Sequence, residues 1–308
     1  MQQSKVGKHA MQQRTIAKIT SLTGIGLHSG QPVTLRFLPA PVDNGIVFYR
    51  SDLANATPIL ADYRSVKDTQ LSSNLSNDSG QRIGTVEHLL SAIAALGIDN
   101  LAIEVSASEI PIMDGSANDF IKVLQQAGIQ EQASAKKFIR ILKDIEVIHE
   151  DKIACFTPFN GFTLSFDIEF DHPAISPAHS HFTVDFNTKN FIEQISPART
   201  FGFLKDIQYL KQQNLGRGGN MDNAIVLDDT QVLNPEGLRF ADEFVRHKIL
   251  DAIGDLYLAG HQIVAKFYAK KSGHMLNNKL LQAVFADPSN YEIVTKYEKF
   301  PPQIDYIN

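Results

Sequence analysis

Three acid or imidazole side chains recur at intervals of four residues, His247, Asp251 and Asp255, within the stretch ADEFVRHKILDAIGDLYLAG from Ala241 to Gly260. At 3.6 residues per turn this interval stacks them on one helix face, beside an apolar stripe of Val245, Ile249, Ala252, Ile253 and Leu256. An imidazole and a carboxylate one turn apart can converge on a divalent cation, and the second aspartate is placed to orient another group. The same spacing suits an i,i+4-paired, solvated helix face, so the row alone leaves both readings open. A second pair, Glu87-His88, opens the amphipathic stretch HLLSAIAALG. Neighbours on a helix point about 100° apart, so one of them can bind a metal while the other handles a proton. The plainer alternative makes Glu87 a first-turn dipole partner and His88 a satisfied, half-buried imidazole. The third group is Lys271-Ser272-Gly273-His274, after the strand-like run QIVAKFYA. There His274 either faces a cleft or simply opens a helix.

The elements that must position these residues follow from periodicity. Thr85 is expected to cap the Glu87 helix and Gly97 to end it. RTIAKIT, PVTLRFL, GIVFY and NLAIEVSA read as strands, and a helix is expected from about Ala117 to Gln126. After residues 131–137, polar and alanine-rich and taken as a linker, strands recur at KFIRIL, KIACFTPF, FTLSFDIEF and AIVLDD, with helices near Phe203 to Gln213, from Asp242 and from His274. The expected class is α+β, with a first α/β domain over 11–130, a second over 138–300, a disordered extension over 1–10 and a tail over 301–308. HLLSAIAALGIDNLAIEV resembles HKILDAIGDLYLAGHQIVAKF, an internal repeat that places His88 and His247 on equivalent helices facing one cleft. Two glycine-rich segments carry no phosphate-binding signature. Gly24 to Gly30 precedes a strand and reads as a turn, and Gly216 to Asn220 lacks the Lys-Ser/Thr ending of a P-loop. The latter is either a flexible loop or a wall admitting close approach of a ligand. His179 and His181 have no adjoining acid and are left out of the site.

Composition bounds the chemistry. With 308 residues, 43% hydrophobic and 20% charged, the chain is long enough for two cores, and a net charge of -5 gives no bulk attraction for nucleic acid or an anionic membrane. One cysteine, Cys155, excludes an intrachain disulfide framework and a thiolate metal cluster, leaving imidazole and carboxylate as ligands. No run of about 18 apolar residues is available to span a bilayer, and residues 1–10 lack the apolar core of a secretion signal. A cytoplasmic enzyme, monomeric and without a transmembrane segment, is expected.

Taken together, Thr85-Val86-Glu87-His88, Glu109 to Ser116 (EIPIMDGS), Ala198 to Phe203 (ARTFGF), Phe244 to Asp255 (FVRHKILDAIGD) and Lys271 to His274 (KSGH) resemble the signature segments of the UDP-3-O-acyl-N-acetylglucosamine deacetylases. These are the zinc amidases of lipid A synthesis in Gram-negative bacteria. The resemblance runs from about Gln12 to the last helix in order and spacing. It departs at Pro197, where many relatives carry a charged residue, and at Arg217, where an apolar residue is common; both bear on the acyl passage and neither on the chemistry.

The resemblance implies two similar two-layer α/β domains with helices inside and sheets outside. Each carries a small insert, the second over about 191–227 forming an acyl passage. It implies Zn2+, with Fe2+ as the alternative in the cell, on His88, His247 and Asp251, leaving a fourth position for water. It further implies Glu87 as general base, Thr200 as a donor to the oxyanion, His274 as general acid and Asp255 as its orienting carboxylate. Lys248, Lys271, Phe201, Phe203 and Gly219 would contact the UDP-linked acylated amino sugar. Two rivals remain on residue types alone: a non-haem iron oxygenase, whose ligands usually sit on barrel strands, and a nucleotide-sugar or acyl-chain binding module that has lost its catalytic centre.

Overall fold

The computed structural model describes residues 11–213, 215–295 and 304–307. The expected extension over 1–10 lies outside the described residues, as do 301–303 and 308 of the expected tail.

In chain order, β1 (Gln12–Ile16), β2 (Thr20–Ile25), β3 (Pro32–Pro39), β4 (Ile46–Arg50) and β5 (Ile59–Leu60) lead to three short strands, β6 (Val66–Asp68), β7 (Asn74–Ser76) and β8 (Arg82–Ile83). Helix α1 (Glu87–Ala95), strand β9 (Leu101–Val105), helix α2 (Asn118–Ala127) and strand β10 (Ile129–Ala135) complete the first half. The second half begins with β11 (Phe138–Ile141), β12 (Ile145–His149), β13 (Lys152–Thr157), β14 (Phe162–Asp167) and β15 (His181–Asp185). A short turn α3 (Thr188–Asn190), β16 (Phe201–Phe203), α4 (Leu204–Gln212) and β17 (Ile225–Leu227) follow. The chain then runs through α5 (Glu243–Tyr257), β18 (Gln262–Lys270), α6 (His274–Ala286) and β19 (Tyr291–Val294).

The suspected repeat is a repeat of topology. In the first half β9 pairs antiparallel with β3 and parallel with β4, while β2 and β5 flank them. In the second half β18 pairs antiparallel with β13 and parallel with β14, while β12 and β15 take the flanking places. Each central strand is fed by the helix before it, α1 into β9 and α5 into β18, and followed by another, α2 and α6. The fold is thus α+β, two similar units with the helices packed between outer sheets. All nine residues of α1 are buried. A helix apolar or enclosed on every side belongs at the centre, and α1 lies against both α2 and α5. Among the described residues no helix is long and apolar enough to cross a membrane.

Two expectations need correction. Thr85 does not cap α1: the residue before the helix is Val86, and Thr85 takes φ 58° and directs its hydroxyl to Glu109 Oε1 at 3.3 Å. Residues 131–137 are not an irregular linker. Most of them form β10, paired antiparallel with β1, and Lys136 is fully buried with its ammonium on Asp99 Oδ1 at 2.7 Å and the Gly97 carbonyl at 3.0 Å. None of the β10 residues is fully buried, so the sequence has no apolar alternation to mark the strand. The described end of the tail is also docked. Ile304 and Tyr306 are buried, and the Tyr306 ring lies on Gly97, where a Cβ would stand 2.7 Å away. Gly97 has φ +64°, and the Ile98 amide bonds back to the Ile93 carbonyl at 3.1 Å, so it ends α1 as expected.

The Tyr306 ring therefore closes the C-terminal end of α1 beneath Lys136. Tyr306→Ala should cost about 3 kcal/mol by cavity formation; equilibrium denaturation checks this, and an unchanged midpoint would show that the docking contributes nothing.

Candidate active site

The two central helices meet at an unusually small distance. A Cβ on Gly254 of α5 would stand 2.0 Å from the carbonyl oxygen of Glu87, the first residue of α1. Only glycine permits this approach, and it carries the next residue of α1, His88, onto the face of α5 that bears His247 and Asp251. His88 Nε2 lies 3.5 Å from Asp251 Oδ1, and His247 Nε2 lies 3.3 Å from the same oxygen. The imidazole rings stand edge to face with centroids 4.9 Å apart.

These three groups fit a divalent metal on their own chemistry. Asp251 Oδ1 is buried and accepts no hydrogen bond, although its other oxygen takes the Lys248 ammonium at 2.8 Å. An orphaned carboxylate oxygen facing two imidazole nitrogens is costly unless a cation joins them. His247 Nδ1 faces the Ala198 carbonyl at 3.1 Å; the carbonyl can only accept, so Nδ1 holds the proton and Nε2 presents its lone pair. Burial pushes the His247 pKa down to about 4, which keeps the ring neutral. Burial works the other way on Asp251, yet His247 and Lys248 beside it hold its carboxyl well below the usual range. Neutral imidazole and ionised carboxylate are the forms that ligate.

Beside the triad lies a second cluster of buried titratable groups. Glu87 Oε1 is 3.8 Å from His274 Nε2, and Glu87 Oε2 accepts the Ser73 amide at 3.0 Å. Burial raises the Glu87 pKa, against the opposing pull of His274 and His88. His274 opens α6, and its Nδ1 meets Asp255 Oδ2 at 2.9 Å. With a carboxylate at each ring nitrogen it is an imidazolium: burial works against the charge, but Asp255 and Glu87 outweigh it, and the pKa is pushed up to about 9. Asp255 also accepts Ser73 Oγ at 2.6 Å and Asn277 Nδ2 at 2.8 Å, so both of its oxygens are engaged.

The sequence profile described as UDP-3-O-acyl N-acetylglycosamine deacetylase matches residues 13–286. Proteins named UDP-3-O-acyl-N-acetylglucosamine deacetylase share 58% identity in Psychrobacter cryohalolentis, covering 97% of this chain and 93% of that one. The protein of that name from Acinetobacter baumannii is 55% identical, covering 97% and 99%. The one from Vibrio vulnificus is 56% identical, covering 94% and 95%. The chain belongs to the UDP-3-O-acyl N-acetylglycosamine deacetylase family.

Around the core of this deacetylase-family site the other expected residues take graded positions. Thr200 donates its amide to the Gly115 carbonyl and accepts the Ile225 amide, both at 2.8 Å, two residues beyond the carbonyl that holds His247. Phe201 packs edge-on to Phe244 at 5.0 Å and reaches His247 at 6.3 Å. Phe203 lies farther out, against Phe170 and His172. Lys248 is engaged with Asp251. Lys271, with φ 54°, bridges the exposed carboxylates of Asp151 at 2.6 Å and Glu169 at 2.8 Å, and Gly219 sits in an exposed loop over Leu27.

Sequence reasoning missed the groups that hold the site. Ser73, the residue before β7, ties Glu87 to Asp255. Buried Arg199 binds Glu243 in the first turn of α5 at 2.9 Å and Glu236 at 2.6 Å, fixing the segment that carries Ala198 and Thr200. Glu109 accepts the His28 and Ser29 amides at 2.8 and 2.9 Å, beside a cavity of about 240 Å³ that Ser72, Thr85 and His28 also line. The signal for Arg199 lay within ARTFGF; Ser73 had none, because no periodicity links it to Glu87 and Asp255 lies 182 residues away.

Gly254→Ala should separate the helices, costing about 1–3 kcal/mol of stability by overpacking and reducing metal affinity. Metal content after dialysis, read beside denaturation, checks this; wild-type values in both would remove the helix contact from the account.

Proposed function

We propose that this chain is a zinc-dependent deacetylase acting in lipid A biosynthesis. It would remove acetate from the 2-acetamido group of UDP-3-O-(3-hydroxyacyl)-N-acetylglucosamine. The observation that carries the reading is the orphaned Asp251 Oδ1 between His88 and His247, next to the Glu87–His274 pair. His88, His247 and Asp251 would hold the ion, which when bound acts as a Lewis acid, lowering the pKa of a water and polarising the amide carbonyl. Imidazole and carboxylate donors suit Fe2+ as well, so metal identity belongs to the test.

The remaining work falls to side chains. Glu87 takes a proton from the attacking water; its raised pKa makes it a stronger base than an ordinary carboxylate. The Thr200 hydroxyl donates to the carbonyl oxygen as it becomes negative. The C–N bond breaks as His274 passes its Nε2 proton to the departing sugar nitrogen, leaving acetate and the free amine. Asp255, held by Ser73 and Asn277, keeps the imidazole oriented and charged. Lys248 holds Asp251 ionised and has further N–H donors for the sugar or diphosphate. Lys271 offers charge at the rim, and Phe201, Phe203 and Gly219 offer apolar and close-packed contact. A UDP-linked substrate and a single cysteine fit a cytoplasmic enzyme, and we take it to work as a monomer.

Purified protein should release acetate from this substrate, lose the activity on chelation and regain it with one equivalent of Zn2+; no release from folded, metal-replete protein would end the reading. Glu87→Gln should lower kcat by about 10² to 10⁴ with substrate binding retained. The pH profile gives a further check. Because His274 works in its protonated form, activity should fall as pH rises through about 9. Asp255→Asn, which removes the largest influence holding that proton, should move this alkaline limb to lower pH. An unmoved limb would separate Asp255 from the acid.

A further inference from the structure

The row of four-residue spacings on α5 begins one turn before its metal-binding side chains. Glu243, the first residue of the helix and fully buried, precedes His247 by four residues and lies on the same face. Both reach one peptide bond of a neighbouring segment, the bond joining Ala198 to Arg199. Its N–H, on Arg199, donates to Glu243 Oε1 at 3.0 Å. Its carbonyl, on Ala198, accepts the Nδ1 proton of His247 at 3.1 Å. The segment is held on either side: the Ala198 amide donates to the Ile195 carbonyl at 3.0 Å and the Thr200 amide to the Gly115 carbonyl at 2.8 Å. The carboxylate is fixed in turn. Arg199 Nε makes a second bond to Oε1 at 2.9 Å, while Oε2 accepts the Arg239 amide at 2.6 Å and Arg199 Nη2 at 3.3 Å.

Hydrogen bonds in a chain polarise one another, most strongly where the surroundings exclude water. A carboxylate at the N–H of an amide shifts electron density onto the carbonyl oxygen and makes it a stronger acceptor. The group that accepts the outer N–H of a metal-binding imidazole sets both the ring's orientation and its basicity at the other nitrogen. For His247 that group is a carbonyl with a buried carboxylate behind it. The second imidazole has no such support, since His88 Nδ1 is buried without a hydrogen-bond partner among the described residues. We propose that Glu243 is a positioning residue of the metal site, acting through the Ala198–Arg199 peptide to orient His247 and strengthen Nε2 as a donor. The inference rests on the metal-dependent deacetylase reading and adds to it a residue that tunes one ligand without meeting the ion, because both Glu243 oxygens are taken by Arg199 and Arg239.

The experiment is the zinc affinity of the full-length, zinc-loaded protein, read by transfer of the ion to a chelating dye, together with the His247 Nδ1 proton resonance of the loaded protein. Glu243→Gln keeps the shape and removes the charge. It should weaken zinc binding by about 10 to 100-fold and move the Nδ1 proton upfield, as a weaker hydrogen bond does. Arg199→Lys separates this effect from packing: it removes the guanidinium contacts to Glu236 and the Gly237 carbonyl but leaves the backbone N–H on Glu243. It should lower the denaturation midpoint with both readouts near wild type. Should Glu243→Gln not fold, Glu243→Asp, which keeps the charge and draws it back from the peptide by one methylene, should give the same two changes. Three results would overturn the role of Glu243 and leave the deacetylase intact: wild-type affinity in the Glu243 variant, a fall in affinity with an unmoved resonance, or equal losses in Arg199→Lys. A folded wild type that binds no zinc would overturn the metal-dependent reading, and this inference with it.

Discussion

Where α1 and α5 cross, the Cα of Gly254 is so near the Glu87 carbonyl that a methyl group there would stand 2.0 Å from it. Helix axes normally pass 8–10 Å apart, set by the side chains between them; with glycine at the crossing, backbone replaces side chain and the helices close up. Glu87 and His88 are consecutive, so one contact fixes both the acid and the imidazole against α5. On α5 the four-residue spacing then supplies His247, Asp251 and Asp255 along one line. One helix crossing thus sets both the three side chains that could hold a metal and the carboxylate that faces His274 of α6. Repeated topology on each side brings two equivalent helices to the middle and makes the crossing possible.

Such a concentration of buried ionisable groups is unfavourable unless each has a partner. Partners are present for Asp255, which takes three donors, and for Arg199, which is gripped by Glu236 and Glu243. Asp251 Oδ1 and His88 Nδ1 have no hydrogen-bond partner among the described residues, and that oxygen is the atom on which both imidazoles converge. Backbone strain gathers around the same place. Thr85 and Lys271 have φ of 58° and 54°, two residues before Glu87 and three before His274. Left-handed conformations at non-glycine residues persist where the surroundings over-determine them. At Thr85 the determinant is Glu109; at Lys271 the amide is held by the Asp167 carbonyl at 2.9 Å and the ammonium by two carboxylates.

The legible part of this architecture was the part governed by local periodicity. Spacing of four put His247, Asp251 and Asp255 on one face, and the similarity of the Ser91–Leu96 and Asp251–Leu256 stretches anticipated the matching units. Lys248 on Asp251 is an i,i+3 pair that helix geometry allows, yet a charged residue on a helix looks the same in sequence whether it meets substrate or its own neighbour. What stayed hidden was decided at long range. Ser73 is a loop serine until the β6–β8 sheet brings it onto Glu87 and Asp255. The Glu131–Ala135 stretch becomes a strand only because β1 offers it a partner, and Tyr306 is a tail residue until Gly97 provides a flat surface. Thr85 satisfied the composition of an N-cap, but Glu109 competed for its hydroxyl and prevailed.

The claim at the centre is that the helix crossing builds one metal site from His88 Nε2, His247 Nε2 and Asp251 Oδ1 and leaves Glu87 free to handle a proton. Anomalous diffraction at the zinc edge from crystals of the zinc-loaded protein tests it directly. One peak within bonding distance of those three atoms, with both Glu87 oxygens outside the coordination shell, is the predicted result. A peak ligated by Glu87 or His274 in place of any of the three, or zinc bound away from the α1–α5 crossing, would contradict it.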